Sequence, residues 1–133
     1  MTRLGDLMTG AVVSVAPEDT LGEAAERMAE QGVGSAVVLD GGRLIGILTE
    51  RDLLGAVAGR VHTSEARVRE WMTVDPVTAD EGMAADEAVR TMLEQGFRHL
   101  PVVEGGRTVG VVSLRELMRA AMQVDVAAEG PTD

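Results

Sequence analysis

GILTERDLL (residues 46–54) closes a short apolar run on a threonine, and an aspartate follows three positions later. Further on, GVVSLRELM (110–118) has the same apolar run, a hydroxyl in the same place and again a carboxylate three positions on. Thr49-Glu50-Arg51-Asp52 and Ser113-Leu114-Arg115-Glu116 both fit [ST]-x-x-[DE]. That pattern is a capping box, in which two side chains satisfy orphan amides at a helix start. A helix N-terminus is also where anions bind. In α/β arrangements, the corner where a strand gives way to a helix is a favoured ligand position. The stretch therefore has two readings, a capped corner and half of a ligand site, and neither excludes the other.

The repetition extends beyond this corner. Shifted by 64 residues, the chain aligns on itself without a gap, with seventeen identities in the 49 positions from 8 to 56. Met8-Thr9 falls on Met72-Thr73, Met28 and Glu30-Gln31-Gly32 on Met92 and Glu94-Gln95-Gly96, and Gly41-Gly42-Arg43 on Gly105-Gly106-Arg107. Internal repeats decide architecture before any local reading does, and here they make the protein two copies of one unit.

Each copy reads β-α-β-β-α. In the first, a strand covers 13–15 and Thr20-Leu21-Gly22-Glu23 fits a capping box. Leu21, Ala24, Ala25 and Met28 have helical spacing as far as about Gln31, where Gly32 stops the helix. Strands at 36–39 and 44–48 flank the turn Asp40-Gly41-Gly42, since glycine tolerates the positive φ of tight hairpins. A helix follows over roughly 50–58. The second copy gives a strand at 77–79, a helix at 83–95, strands at 99–103 and 107–112, and a helix at 114–123. The fold class is α/β (α+β). A unit this small buries little surface alone, so two pseudo-symmetric repeats are expected to pack through their sheets and leave two equivalent clefts between them. GRVHTSEAR (59–67) reads as the linker region. The boundaries are then 1–60 for repeat 1, 61–67 for the linker, 68–124 for repeat 2 and 125–133 for a disordered tail.

Composition narrows the function. Apolar residues make up 45% of the chain, yet Trp71 and Phe97 are its only aromatics, so the core must be aliphatic with methionine as filler. A net charge of −10 and two aromatics offer neither a basic stripe nor a stacking platform for nucleic acid. There is no cysteine for disulfide or thiol chemistry. No signal peptide is visible and no apolar run approaches the ~20 residues of a membrane helix, so a soluble cytoplasmic protein is expected. The glycine pairs lie between strands and read as turns rather than phosphate loops. Two histidines without cysteine supply a zinc site poorly, and no catalytic motif is present. Phe97-Arg98-His99-Leu100-Pro101 stands where the first copy has Val33-Gly34-Ser35-Ala36-Val37. It reads either as surface Arg and partly buried His or as a phosphate contact, Arg being suited to bidentate recognition.

Taken together, DLMT (6–9) with EWMT (70–73), RHLPVV (98–103), and GILTERDLL with GVVSLRELM resemble a CBS domain pair, or Bateman module, over about residues 4–123. The chain is similar to small stand-alone bacterial CBS-pair proteins. The resemblance implies a non-catalytic sensor of an adenine-containing ligand (AMP, ADP, ATP, NAD or S-adenosylmethionine), with no cofactor required, and a disc-like homodimer. It also implies composite clefts. In the first, Asp52 would hold the ribose hydroxyls, Thr49, Arg98 and His99 would meet phosphate, and Val77, Thr78, Ala79 and Pro101 would flank the base. In the second, Ser113 and Glu116 would face Ser14, Val15, Gly34 and Ser35. Glu116 is longer than the usual Asp, Gly34-Ser35 carries no charge, and Val37 replaces the usual Pro, so the second cleft is expected to be weak, empty or selective for a less charged adenosine compound. A His99 in contact with phosphate would gain a proton near neutral pH, and affinity would fall as pH rises. The competing reading is a structural or interaction protein with vestigial clefts.

Overall fold

The computed structural model describes residues 2–8 and 12–128, with side chains described as far as 122; Thr9 of the first Met-Thr pair lies outside them. The elements are α1 (Leu4–Leu7), β1 (Ser14–Val15), α2 (Leu21–Gln31), β2 (Ser35–Asp40), β3 (Arg43–Thr49) and α3 (Glu50–Ala58), then α4 (Val68–Trp71), β4 (Thr73–Val74), α5 (Ala85–Gln95), β5 (His99–Glu104), β6 (Arg107–Ser113) and α6 (Leu114–Ala128). The fold is the expected mixed α and β repeat pair. Thr20 and Glu23 form the expected capping box of α2. The hairpins turn on Gly41-Gly42 and Gly105-Gly106, all with φ between 56° and 85°, which side chains with a Cβ resist.

The first sheet has the order β1-β2-β3-β4 and the second is the antiparallel pair β5-β6. Side chains alternate across a strand. Ala36, Val38 and Leu48 enter a core with Val15, Leu21, Ala24 and Met28, while Leu100, Val102 and Val112 enter a second core with Ala88, Met92 and Leu117. Val37, Ile47 and Pro101 are also buried but belong to neither core. They lie on the opposite sheet face, where β3 meets β6.

Each core is closed by the segment that precedes the other repeat. Leu4, Leu7 and Met8 pack into the second core, and Val68, Trp71 and Met72 into the first. The backbone clasp is symmetric. Leu4 N–H donates to Met83 O at 3.0 Å and Val68 N–H to Asp19 O at 2.9 Å. Ala85 N–H donates to Thr2 O and Leu21 N–H to Ala66 O, both at 2.9 Å. Arg3 Nη1 and Arg67 Nη1 donate to the carbonyls of Gly82 and Glu18. Full burial of a leucine such as Leu4 contributes about 1.5–3 kcal/mol, so the leading segments bind the repeats to each other. The stretch read as a linker, 61–67, is part of this clasp, with Val61 and Ala66 packed against the first core.

Two expectations need correction. The strand expected over 77–79 is a single bridge, Ala79 to Val102. In the first repeat Val37 N–H donates to the Val13 carbonyl at 2.9 Å. Its mate is Pro101, which has no N–H for the carbonyl of Val77, so the ladder opens there. The expected end of the last helix at 123 is too early: α6 runs to Ala128. The next helix breakers are Gly130 and Pro131, so the tail expected from 125 begins inside a helix. Residues 129–133 lie outside the described residues.

Candidate functional site

Two clefts separate the repeats. The first, about 570 Å³, is walled by Ile47 and Thr49–Asp52 on one side, Asp75–Val77 behind, and Phe97–His99 opposite. The second is part of a larger space of about 1280 Å³ and repeats the same walls 64 residues away: Val111 and Ser113–Glu116, Val12–Val13, and Val33–Ser35. Leu54 of the first cleft has Met118 as its mate in the second.

In the first cleft the capping reading is correct. Asp52 Oδ2 accepts from Thr49 N–H at 2.8 Å and from Thr49 Oγ1–H at 3.1 Å, while Asp52 N–H donates to Thr49 Oγ1 at 3.4 Å. The box fixes the carboxylate at the start of α3, and among the described residues no hydrogen bond reaches Oδ1. That oxygen can accept from a ligand while Oδ2 holds the corner. Ser113 and Glu116 form the same box in the second cleft, Ser113 Oγ–H donating to Glu116 Oε1 at 2.9 Å in a more exposed setting.

Arg98 stands across the first cleft from Asp52, and the arginine side chains with a described hydrogen bond or ion pair are others, Arg3, Arg27, Arg67, Arg69 and Arg90. Among the described residues Arg98 is thus a free donor fork at the cleft wall. His99 is half-buried beside it. Burial pushes its imidazole below the ordinary value of 6.5, with Arg98 adding to the shift and the carboxylates of Glu50 and Glu116 opposing it. The ligand-free imidazole is therefore neutral at pH 7, and a bound phosphate has to overcome that burial before His99 takes up a proton.

The structure brings Thr49, Asp52, Val77, Arg98 and His99 together at the first cleft. It does not bring Thr78, Ala79 or Pro101 to its wall. Ala79 packs into the second core and Pro101 is fully buried. In the second cleft Gly34, Ser35, Ser113 and Glu116 line the wall, whereas Ser14 and Val15 do not. Val15 belongs to the first core and the Ser14 carbonyl accepts from Arg27 Nη1 at 2.9 Å. In both copies the cleft is therefore lined by the residues just before the bridge or strand, 76–77 and 12–13. The second cleft is also less bare of positive charge than Gly34-Ser35 alone suggests, since Arg98, Arg115 and Arg119 border it.

Sequence reasoning missed Asp75, Phe97 and Glu50. Asp75 takes a left-handed φ of 48° directly before Pro76, a combination with no clear sequence signal. Phe97 has one, as the larger mate of Val33 at the same wall.

These features define a tandem-repeat module with paired inter-repeat clefts. The CBS domain family model matches residues 4–59 and 68–123. The chain belongs to the CBS domain family and is a tandem CBS pair. An uncharacterised 17.7 kDa protein of Acidianus ambivalens is 38% identical over 125 residues, covering 92% of this chain and 75% of the relative. The CBS domain protein PAE2072 of Pyrobaculum aerophilum, solved complexed with AMP, superposes with a TM-score of 0.83 at 29% identity, covering 96% of this chain and 99% of that one. The CBS domain pair of protein MJ0100, in complex with 5-methylthioadenosine and S-adenosyl-L-methionine, also superposes with a TM-score of 0.83, at 25% identity, covering 92% and 98%.

Proposed function

We propose that the chain is a non-catalytic regulatory module that binds an adenine-containing ligand in the first cleft, with AMP, ADP or ATP as the leading candidates. The observation that carries this reading is the convergence at one cleft of a carboxylate oxygen, a guanidinium and a wall carbonyl, each without a partner among the described residues. Asp52 Oδ1 faces two ribose hydroxyls, Arg98 and the start of α3 face phosphate, and Val77 O, which Pro101 cannot satisfy, faces the exocyclic amine of the base. The AMP of PAE2072 and the adenosyl ligands of the MJ0100 pair support the ligand class. In the second cleft the Val13 carbonyl already accepts from Val37 N–H at 2.9 Å, so one of its two lone pairs is in use before any base binds.

Signalling requires that the ligand bind two states with different affinity. A homodimer supplies such states. Leu54 and Val57 on α3 and Leu93, Met118 and Met122 on α5 and α6 are exposed, and pairing two copies of the chain covers them. The acidic, cysteine-free sequence suits the cytoplasm. Thermal unfolding against AMP, ADP, ATP, NAD and S-adenosylmethionine tests the reading. At a hundredfold excess over Kd, a binding ligand stabilises by ~2.7 kcal/mol. No shift with any of them returns Thr49 and Asp52 to capping alone, and the module to an interaction role. Light scattering with and without ligand tests the dimer.

A further inference from the structure

The two clefts meet at one wall. Glu50, Phe97, Arg98 and His99 border both, and among the described residues Arg98 is the one arginine that does so. Its backbone belongs to the corner of the second cleft, where its carbonyl accepts from Leu114 N–H, at the start of α6, at 2.8 Å. The same residue stands across the first cleft from Asp52, and its side chain is exposed, with no partner among the described residues. Repeat symmetry gives it a mate in Gly34, whose carbonyl accepts from Glu50 N–H, at the start of α3, at 3.0 Å. Gly34 borders the second cleft but has no side chain to lend to it. One guanidinium at the shared wall thus serves two clefts. His99 lies in the same wall. Burial lowers its pKa most, and the two carboxylates that oppose this, Glu50 and Glu116, come one from each helix corner. The imidazole is therefore within electrostatic reach of both corners, and being neutral at pH 7 it adds no second cation.

We propose that the two clefts compete for Arg98, so that a phosphate-bearing ligand in the first cleft weakens the binding of another in the second. The inference deepens the functional reading above and rests on it. A guanidinium turned to a phosphate in the first cleft leaves the second with Arg115 and Arg119 of α6 alone. That phosphate also adds negative charge beside a wall that already carries Glu50, and like charges repel even in high dielectric. Coupling between sites is reciprocal, so a phosphate in the second cleft opposes the first equally. An adenosine compound without phosphate makes no demand on Arg98 and binds the two clefts independently. The module then takes one phosphate-bearing ligand readily and a second only at higher concentration, which spreads its response over a wider range.

The test is residue-resolved NMR titration of AMP and of adenosine into wild type, Asp52→Ala, Arg98→Leu and the double variant. The Val77 amide reads the first cleft, and the Gly34 and Ser113 amides read the second. In wild type the second cleft fills with Arg98 already engaged. Asp52→Ala leaves the first cleft empty over the same range of AMP, and AMP at the second cleft should tighten about fivefold or more, the lower end of coupling between sites. The adenosine Kd at the second cleft should not change, and Asp52→Ala should give no tightening in the Arg98→Leu background. Asp52→Asn keeps an acceptor for the capping box and repeats the comparison if the alanine variant unfolds. An unchanged, weaker or absent response to AMP at the second cleft of the Asp52 variants overturns the coupling and leaves the functional reading standing. So does a tightening that persists without Arg98 or extends equally to adenosine. No saturable response of the Val77 amide in wild type to either compound overturns the functional reading and the proposal with it.

Discussion

Replacing Asp52 by alanine removes one carboxylate with two separable duties. Its Oδ2 accepts from Thr49 N–H at 2.8 Å and Oγ1–H at 3.1 Å in a part-buried setting. Losing such a box costs about 1–2 kcal/mol, or a fall in Tm of roughly 3–8 °C for a chain this size. In the proposed complex Oδ1 and its charge also hold two ribose hydroxyls. At about 1.4 kcal/mol for each hydrogen bond to a charged group, Kd weakens roughly a hundredfold. A ligand concentration that stabilises wild type by ~2.7 kcal/mol then stabilises the variant by only ~0.4 kcal/mol. Glu116→Ala is the matched control. It breaks the equivalent, more exposed box and should lower the ligand-free Tm while keeping the full ligand shift. Differential scanning fluorimetry or calorimetry on the three proteins, with and without ligand, reads both effects. An undiminished ligand shift in Asp52→Ala refutes the site, and an unchanged ligand-free Tm refutes the capping argument.

Three further outcomes follow from the structure. Because burial holds the His99 imidazole below 6.5, the unfolded chain binds more protons in the window just below that value. The stability His99 contributes is complete above about pH 6.5, falls as pH drops through the window and levels off below the folded pKa. Denaturant melts between pH 7.5 and 5.5 should show wild type losing more than His99→Gln, and equal slopes contradict this. Gly46→Ala places a Cβ 2.9 Å from the Thr73 carbonyl, a backbone atom, and should cost about 1–3 kcal/mol. Gly110→Ala meets only the Met8 side chain, 3.2 Å away at Cγ and closer at the sulfur, and should cost less; the reverse order in thermal melts refutes the packing account. Arg60 ends the α3 turn with a φ of 59°, so Arg60→Gly should stabilise by about 0.5–1 kcal/mol, and a loss of stability in chemical denaturation contradicts it.

What the sequence carried was whatever local chemistry encodes. The boxes at Thr20 and Thr49 and the diglycine hairpins follow from residues within a few positions of each other, and the repeat fixes the pairing of the two copies. The clasp was not legible, because α1 and α4 have only four residues each, too short to show a period, and their partners lie far along the chain. The missing strand at 77–79 was legible in principle. Pro101 was visible, and its lack of an N–H becomes decisive only once Val37 is seen donating to Val13 in the other copy. At the site, Val77 lines the cleft while Ala79 packs against the second core, and only Ala79 is bridged to the sheet, a division that an undivided reading of 77–79 did not make. Glu50 escaped notice because its place depends on Gly34 across the strand pair, and no spacing rule joins the two.

The central claim is that the first cleft holds an adenine nucleotide, and residue-resolved NMR titration with AMP addresses it most directly. The account predicts saturable amide shifts concentrated at Thr49–Asp52, Val77 and Phe97–His99 at one molar equivalent, with Val13, Gly34, Ser35 and Ser113 little changed. Shifts centred instead on Val13, Gly34, Ser35 and Ser113, or no saturable shifts with AMP or any other adenine compound, would contradict it.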